Sequence, residues 1–213
     1  MKKILLNSFA AVMLFITLSA AWYVSKYNPE TKSKSASAHT ATGKDVAKRL
    51  ALFSGLLQQY AIENGYNRET CFLADMGLPS GSKRFFIYNM PKDSVVNEGL
   101  VAHGSCDAGF RVRASFSNKS GSGCSSYGKY KIGKSYYGQY GLAYKLHGLD
   151  SSNSNAFERN IVLHSYNCVP EQETHPWPIC NSRGCPMTSP GFLNKLRAVI
   201  DGSKKPVLLW IYE

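Results

Sequence analysis

Among the six cysteines of this 213-residue chain, Cys185 has the most unusual surroundings, "NSRGCPMTSPG" at 181–191. Gly184 precedes the thiol, Pro186 follows it, and Ser182 and Arg183 lie just upstream. His164 stands near the end of the strand-like run "RNIVLHSYN", 21 positions earlier (185 − 164). A thiol attacks a carbonyl as its thiolate, which calls for a base or a positive charge close by. A histidine at the end of a buried strand, facing a cysteine on a nearby turn, supplies both. The N–H groups of Gly184 and Cys185 could receive the developing oxyanion, since glycine leaves the turn unobstructed. Arg183 adds positive charge, or faces solvent or an anionic ligand. The chemistry this spacing points to is nucleophilic attack on a carbonyl by a Cys-His pair.

Two other uses of the same residues compete with it. Cys71, Cys106, Cys124, Cys168, Cys180 and Cys185 can pair completely, and in an oxidising compartment disulfides are the default. The chain would then be a disulfide-stapled module for an anionic envelope polymer, with no chemistry at Cys185. Alternatively, His164, Cys168, His175, Cys180 and Cys185 form a cluster dense enough for zinc, although their spacing fits no compact CxxC pairing. Counting free thiols separates the three. His103 and His175 read as structural or solvent-facing, and Arg159 as a strand anchor or a contact for a substrate carboxylate.

The N-terminus bears on the compartment. "MKKILLNSFAAVMLFITLSAAW" has two lysines, then an apolar stretch from Ile4 to Ala21 ending in small residues. Residues 1–21 read as a signal peptide, or as an uncleaved anchor with Trp22 and Tyr23 at the interface. Either sends the rest of the chain out of the cytoplasm, and membrane contact is expected only through that segment. Residues 22–43 are rich in Ser, Thr, Ala and Lys and read as a flexible linker.

From 44 to 213 the pattern is one domain. A helix is expected over 44–65, with Val46, Leu50, Phe53, Leu57, Tyr60 and Ala61 on one face and Asn64-Gly65 as its stop. The texture then turns to β: "CFLADM", "RFFIYNM", "VVNEGLVAH", "GLAYKLHGL", "RNIVLHSY" and "PVLLWIY" are short Val, Ile, Phe and Tyr-rich runs between turn residues. The Gly, Ser and Tyr-dense stretch from Ser115 to Gly141 suits hairpins and a surface loop. A second helix spans Pro190 to Asp201, capped by Ser189 and ended by Gly202, with Phe192, Leu196, Val199 and Ile200 on one side. The fold class is mainly β with two helices, one in front and one before the last strand. The formal net charge is +11, but the basic residues are spread in ones and twos with no reader helix. An anionic environment is read from this, not a nucleic-acid partner.

The segment "HGLDSSNSNAFERNIVLHSYNCVPEQETHPWPICNSRGCPMT" resembles the active-site region of the murein L,D-transpeptidases. In that family an upstream His-Gly precedes a strand ending in His-Ser or His-Gly, and a Ser-x-Gly-Cys turn carries the nucleophile. The resemblance covers about residues 70–213 and is strongest to the branch with Ser-x-Gly-Cys-Pro. It implies a β-sandwich and a reaction on peptidoglycan stem peptides: transpeptidation that forms cross-links, or carboxypeptidation when water accepts. It makes Cys185 the nucleophile, forming a thioester, and His164 its base. Ser165 would orient the imidazole through its carbonyl, and the Gly184 and Cys185 amides would form the oxyanion hole. His147 and Gly148 would line and support the substrate groove, with Ser182 and Arg183 as further substrate contacts. It implies no cofactor and no metal, a bacterial periplasm or envelope location, and durable acylation by carbapenems. The chain departs from the commoner pattern at Arg183, where a second histidine is usual. Cys168 and Cys180 are also unusual within the loop; paired, they would staple a lid and leave Cys185 reduced.

Overall fold

The structure, a computed structural model, describes residues 43–213. The expected leader or anchor at 1–21 and residues 22–42 of the expected linker lie outside the described residues. Gly43 is already helical, and among the described residues no helix is long and apolar enough to cross a membrane.

Helix α1 (Gly43–Asn64) buries Leu50, Leu57 and Ala61 and packs Val46, Phe53 and Tyr60 partly against the same cluster. Its three-to-four-residue period is the reason it forms here, and its stop falls at Asn64-Gly65 as expected. Gly65 takes φ +74°, and the Tyr66 N–H reaches the Ala61 carbonyl at 3.0 Å, which satisfies an otherwise unpaired helix end.

The strands are β1 (Thr70–Asp75), β2 (Phe85–Asn89), β3 (Ser94–Gly99), β4 (Val101–Ala102), β5 (Gly128–Gly138), β6 (Gly141–Gly148), β7 (Val162–Ser165), β8 (Met187–Thr188) and β9 (Leu208–Tyr212). Helix α2 (Pro190–Gly202) precedes β9. They form one nine-stranded ladder, β3-β2-β1-β9-β5-β6-β7-β8-β4. The pairs β1–β9 and β7–β8 are parallel, and the other neighbours antiparallel. Strands β3 and β4 stand at opposite edges, yet Leu100 alone separates them in the chain. Edges joined by one residue must meet, since a residue spans at most about 3.6 Å. The sheet therefore curls back on itself around an enclosed core.

That core gathers Phe72, Phe85, Tyr130, Ile132, Tyr144 and Leu163 with Phe192, Leu193 and Leu196 of α2. Ser189 caps α2 as expected, its Oγ accepting from the Phe192 N–H at 3.3 Å. Gly202 is the last helical residue, and Ser203 makes the cap. Two strands differ from expectation. The Gly, Ser and Tyr-dense stretch contributes the long strand β5, because Tyr130 and Ile132 alternate into the core while its other positions stay solvated. The two-residue β8 is too short to leave a periodic signal.

The outer face of the sheet is covered in two places. Helix α1 lies over Leu73, Phe86 and Leu208 at one side. At the other, Val169 and Ile179 cover Leu100, Ala102 and Met187. These last two belong to the 166–186 loop, which a Cys168–Cys180 disulfide closes. Glu171 ties the loop to α2: its carboxylate accepts from the Ser189 hydroxyl and the Gly191 N–H, each at 2.7 Å. Between the two covers, cross-strand register places Lys131, His147, Lys145, Ala143 and His164 on the same outer face of β5–β7.

The loop's disulfide gives a testable magnitude. Its 12-residue separation corresponds to about 3 kcal/mol of unfolded-state constraint. The double substitution Cys168→Ser/Cys180→Ser should lower the urea midpoint by that amount of stability. An unchanged midpoint would show that Glu171 and the Val169–Ile179 packing hold the loop without it.

Candidate functional site

The parallel pairing of β7 with β8 sets the site. His164 is the ladder partner of Met187, and Cys185 lies two residues before Met187 (187 − 185). Neighbouring strands run about 4.8 Å apart, so the turn that carries the thiol comes up beside the end of the histidine's strand. Cys185 is unpaired and half-buried, with its Sγ 3.8 Å from the Asn160 carbonyl. The rival pairings are thereby overturned. Cys168 is bonded to Cys180 and Cys106 to Cys124, while Cys71, the other free cysteine, is sealed in the core. The five-residue zinc cluster loses two ligands to a disulfide, and the binding-module reading loses its paired Cys185.

His164 is 5 % exposed. Its Nδ1 lies 3.1 Å from the Ser165 carbonyl. A carbonyl can only accept, so Nδ1 carries the proton and Nε2 presents a lone pair. Tyr140, at the tip of the β5–β6 hairpin, stacks on the imidazole with centroids 5.3 Å apart. Tyr166 meets Tyr140 edge-on at 5.5 Å.

Why the turn sits where it does is a matter of hydrogen bonds. The Ser182 N–H donates to the His103 carbonyl at 2.9 Å, and the Ser182 carbonyl accepts from the Ser105 N–H at 2.9 Å. The Ser182 hydroxyl donates to the Cys185 carbonyl at 2.6 Å and accepts from the Gly184 N–H at 3.1 Å. Gly184 takes φ +114°, and a Cβ there would stand 2.7 Å from the Cys124 carbonyl. Only glycine fits both conditions. His103 in turn is fully buried, and its Nδ1 accepts from Arg84 Nη2 at 2.9 Å. Arg84, equally buried, donates to the Val101 and Leu78 carbonyls. Burial and the adjacent guanidinium push His103 down to about 4, so it stays neutral and can accept. Burial lowers Arg84 to about 10, opposed by the Asp75 charge.

The surroundings of the expected site residues are specific. The Gly184 N–H donates to the Ser182 hydroxyl, while the Cys185 N–H, among the described residues, has no intramolecular partner. Ser182 is buried, and its hydroxyl braces the turn by donating to the Cys185 carbonyl. Arg183 projects into solvent with an 88 % exposed side chain, 3.7 Å from Asp107. Gly148 packs closely against a loop, since the Asn153 carbonyl would lie 1.9 Å from any Cβ there. His147 is half-buried and stacks on Phe157 with centroids 4.8 Å apart.

Arg159, Tyr140, Arg84 and Asn160 also shape the site. Arg159 donates to the Ser117 and Cys124 carbonyls, at 2.7 and 2.6 Å, and to the Ser126 and Ser122 hydroxyls. It fixes the segment against which Gly184 packs. Tyr140 had a readable signal, since aligning "GQYG" as a two-residue hairpin turn puts it three residues before Ala143, the partner of His164. Arg84 and Asn160 had none, because their contacts depend on the closed fold.

Burial pushes the Cys185 thiol above its ordinary 9.0, opposed by a Val162 backbone hydrogen bond and by the charges of Arg159 and Lys145. Burial also pushes His164 below its ordinary 6.5, opposed by its Ser165 contact. The resting pair at neutral pH is therefore thiol and neutral imidazole, not thiolate and imidazolium. Alkylation of Cys185 by iodoacetamide should rise with pH through a midpoint above 9.0. A neutral-pH plateau, as a preformed ion pair gives, would contradict this electrostatic picture.

A family model described as the L,D-transpeptidase catalytic domain matches residues 45–212. No curated protein matches the chain. Among solved structures, the chain is similar to the Ldtfm–avibactam carbamoyl enzyme (TM-score 0.43, 11 % identity, covering 68 % of this chain and 49 % of that one). It is similar also to the helical cell shape determining protein Pgp2 from Campylobacter jejuni (0.43, 16 %, 68 % and 47 %). An L,D-transpeptidase from Mycobacterium smegmatis gives 0.42, 11 %, 68 % and 59 %. The match spans about half the length of the first two of these chains.

Proposed function

The chain belongs to the L,D-transpeptidase catalytic-domain family, and from that premise we propose that it is a cysteine-dependent acyltransferase acting on peptidoglycan stem peptides. The observation that carries this reading is the unpaired Cys185 two residues before Met187, the ladder partner of His164, whose Nδ1–H is engaged by Ser165. That arrangement leaves a lone pair on Nε2 and a thiol with nothing else to do.

His164 Nε2 takes the proton from Cys185 Sγ as sulfur attacks the amide carbonyl at the L-centre of a diamino acid. The carbonyl π electrons move onto oxygen, where the Cys185 N–H donates to the oxyanion. Collapse expels the terminal D-residue as its amine, and the imidazolium returns the proton to that nitrogen. The product is a thioester on Cys185. An amine of a neighbouring stem attacks it, loses a proton to His164, and displaces the thiolate to give a cross-link. Water in the same role gives the L,D-carboxypeptidase product. A neutral resting pair suits this order of events, because the base is unprotonated before attack and charge appears only with substrate in place. The same thiol would open a carbapenem ring and hold the adduct more durably than one from a penicillin.

The remaining assignments follow from this reading. Residues 1–21 carry the chain out of the bacterial cytoplasm, 22–43 tether it, and 44–213 form the catalytic domain. Ser165 is a positioning residue for His164. Tyr140, stacked on that ring, shields the imidazole from bulk water. Arg183, exposed at the mouth of the turn, is placed to meet an anionic group of the substrate.

Incubation with disaccharide-tetrapeptide followed by mass analysis tests the proposal. The wild-type protein should release the terminal D-residue and yield dimer or tripeptide. Cys185→Ala should lose turnover by about 10⁴-fold or more, with an unchanged circular-dichroism spectrum. Turnover by Cys185→Ala at the wild-type rate would sink the reading.

A further inference from the structure

Below the active histidine, the same outer face of the sheet runs into a concavity of about 700 Å³. Lys131 and Lys134 of β5, Lys145 of β6, and Lys204 and Lys205 of the α2–β9 connection line it, with His147 between them. No aspartate or glutamate lines it, and among the described residues none of the five lysines has a carboxylate partner. Lys129, two residues before Lys131 on β5, shows the contrast: it pairs with Asp150 at 2.7 Å. Lys204 and Lys205 follow the C-terminus of α2, where a helix favours cations, but that accounts for neither the β5 nor the β6 lysines. Like charges gathered in a concave site repel one another, and an anion would relieve that repulsion. The ring of His147 feels this field: burial, then Lys131 and Lys145, push it below its ordinary 6.5.

One lining side chain, Lys145, connects the cavity to the neighbourhood of the thiol. Lys145 Nζ lies 3.4 Å from Asn160 Oδ1, and the carbonyl of the same asparagine contacts Cys185 Sγ at 3.8 Å. A peptide whose carbonyl sits at that sulfur has its neighbouring residues within reach of Lys145 and the cavity behind it. The volume suits several residues of an extended ligand. Lys145 also lies 4.8 Å from the Tyr136 ring and 5.8 Å from that of Phe157, so apolar walls flank the charge. A free phosphate polymer would fill the cavity but has no reason to adjoin the thiol.

We propose that this lysine-lined cavity is a subsite for the carboxylates of an acidic peptide donor, holding the chain whose amide Cys185 attacks. The proposal rests on the acyl-transfer reading above. Each lysine contributes charge attraction without a fixed fork, so affinity is spread over the set and falls as salt is added.

The test uses the full chain with Cys185→Ala and the free tetrapeptide L-Ala-γ-D-Glu-diaminopimelate-D-Ala as probe. Adding Lys131→Gln and Lys205→Gln should weaken its Kd by about tenfold at low salt. A tetrapeptide with amidated carboxylates should bind the parent as weakly, and should not respond to the lysine changes. Iodoacetamide should still alkylate Cys185 at the parental rate when the two changes are made in the wild-type background, which shows an intact fold. Equal Kd values for the acidic tetrapeptide would overturn the subsite, as would tighter binding of inorganic polyphosphate than of peptide. Wild-type turnover with a KM unmoved by the lysine changes would remove the subsite and leave the acyl-transfer reading standing. Absence of both turnover and tetrapeptide binding would remove both.

Discussion

The geometry of the site depends on one buried polar connection, from the Arg84 guanidinium through His103 to the Ser182 amide. Burying a guanidinium is costly unless its donors are used. Here two carbonyls and an imidazole nitrogen use them. The neutral histidine passes the constraint along its own backbone to Ser182, whose hydroxyl grips the turn at both ends, accepting from Gly184 and donating to the Cys185 carbonyl. A two-residue strand could not hold the Cys185 turn in place by itself. It does so because the turn before it is bonded to the centre of the molecule.

The same constraint explains the use of small residues around the thiol. With Ser182 fixed on one side and the Cys124 carbonyl on the other, the backbone at Gly184 has to take a positive φ in a space that excludes a side chain. Arg159 holds Cys124 from behind, and the Cys106–Cys124 disulfide fixes the segment further. Cys185 is left as the one residue of the turn with an unoccupied amide and a free sulfur. Its partner His164 is set by different means: strand register fixes its Cα, the Ser165 carbonyl fixes its tautomer, and Tyr140 covers its face. Burial favours the neutral form of both groups.

Much of this was legible in the residues, and the limit of legibility has a physical cause. Helix α1 is readable from the spacing of Leu50, Leu57 and Ala61, and α2 from Ser189-Pro190, because periodicity and caps are local. The pairing of His164 with Cys185 is readable as chemistry, and the family resemblance places both on the same site. The Gly184 amide, expected in the oxyanion hole, donates to the Ser182 hydroxyl, a local contact that residue types alone do not single out. The surroundings of Ser182 and Gly148, His103 at one and Asn153 at the other, come from packing that a linear reading does not reveal. Strand β5 was obscured by glycine and serine, and only its ladder with β6 and β9 shows it to be a strand at the centre of the sheet.

The central claim is that Cys185 carries the acyl group, and the acyl-enzyme itself is the most direct evidence. Wild-type protein mixed with tetrapeptide and no acceptor, then quenched in acid within the first turnover, should gain the mass of the donor less its terminal D-residue. Peptide mapping should place that mass on the fragment containing Cys185, and mild hydroxylamine should release it as a thioester does. Turnover that proceeds with Cys185 fully blocked by iodoacetamide, or an acyl group mapped to any other residue, would contradict the account.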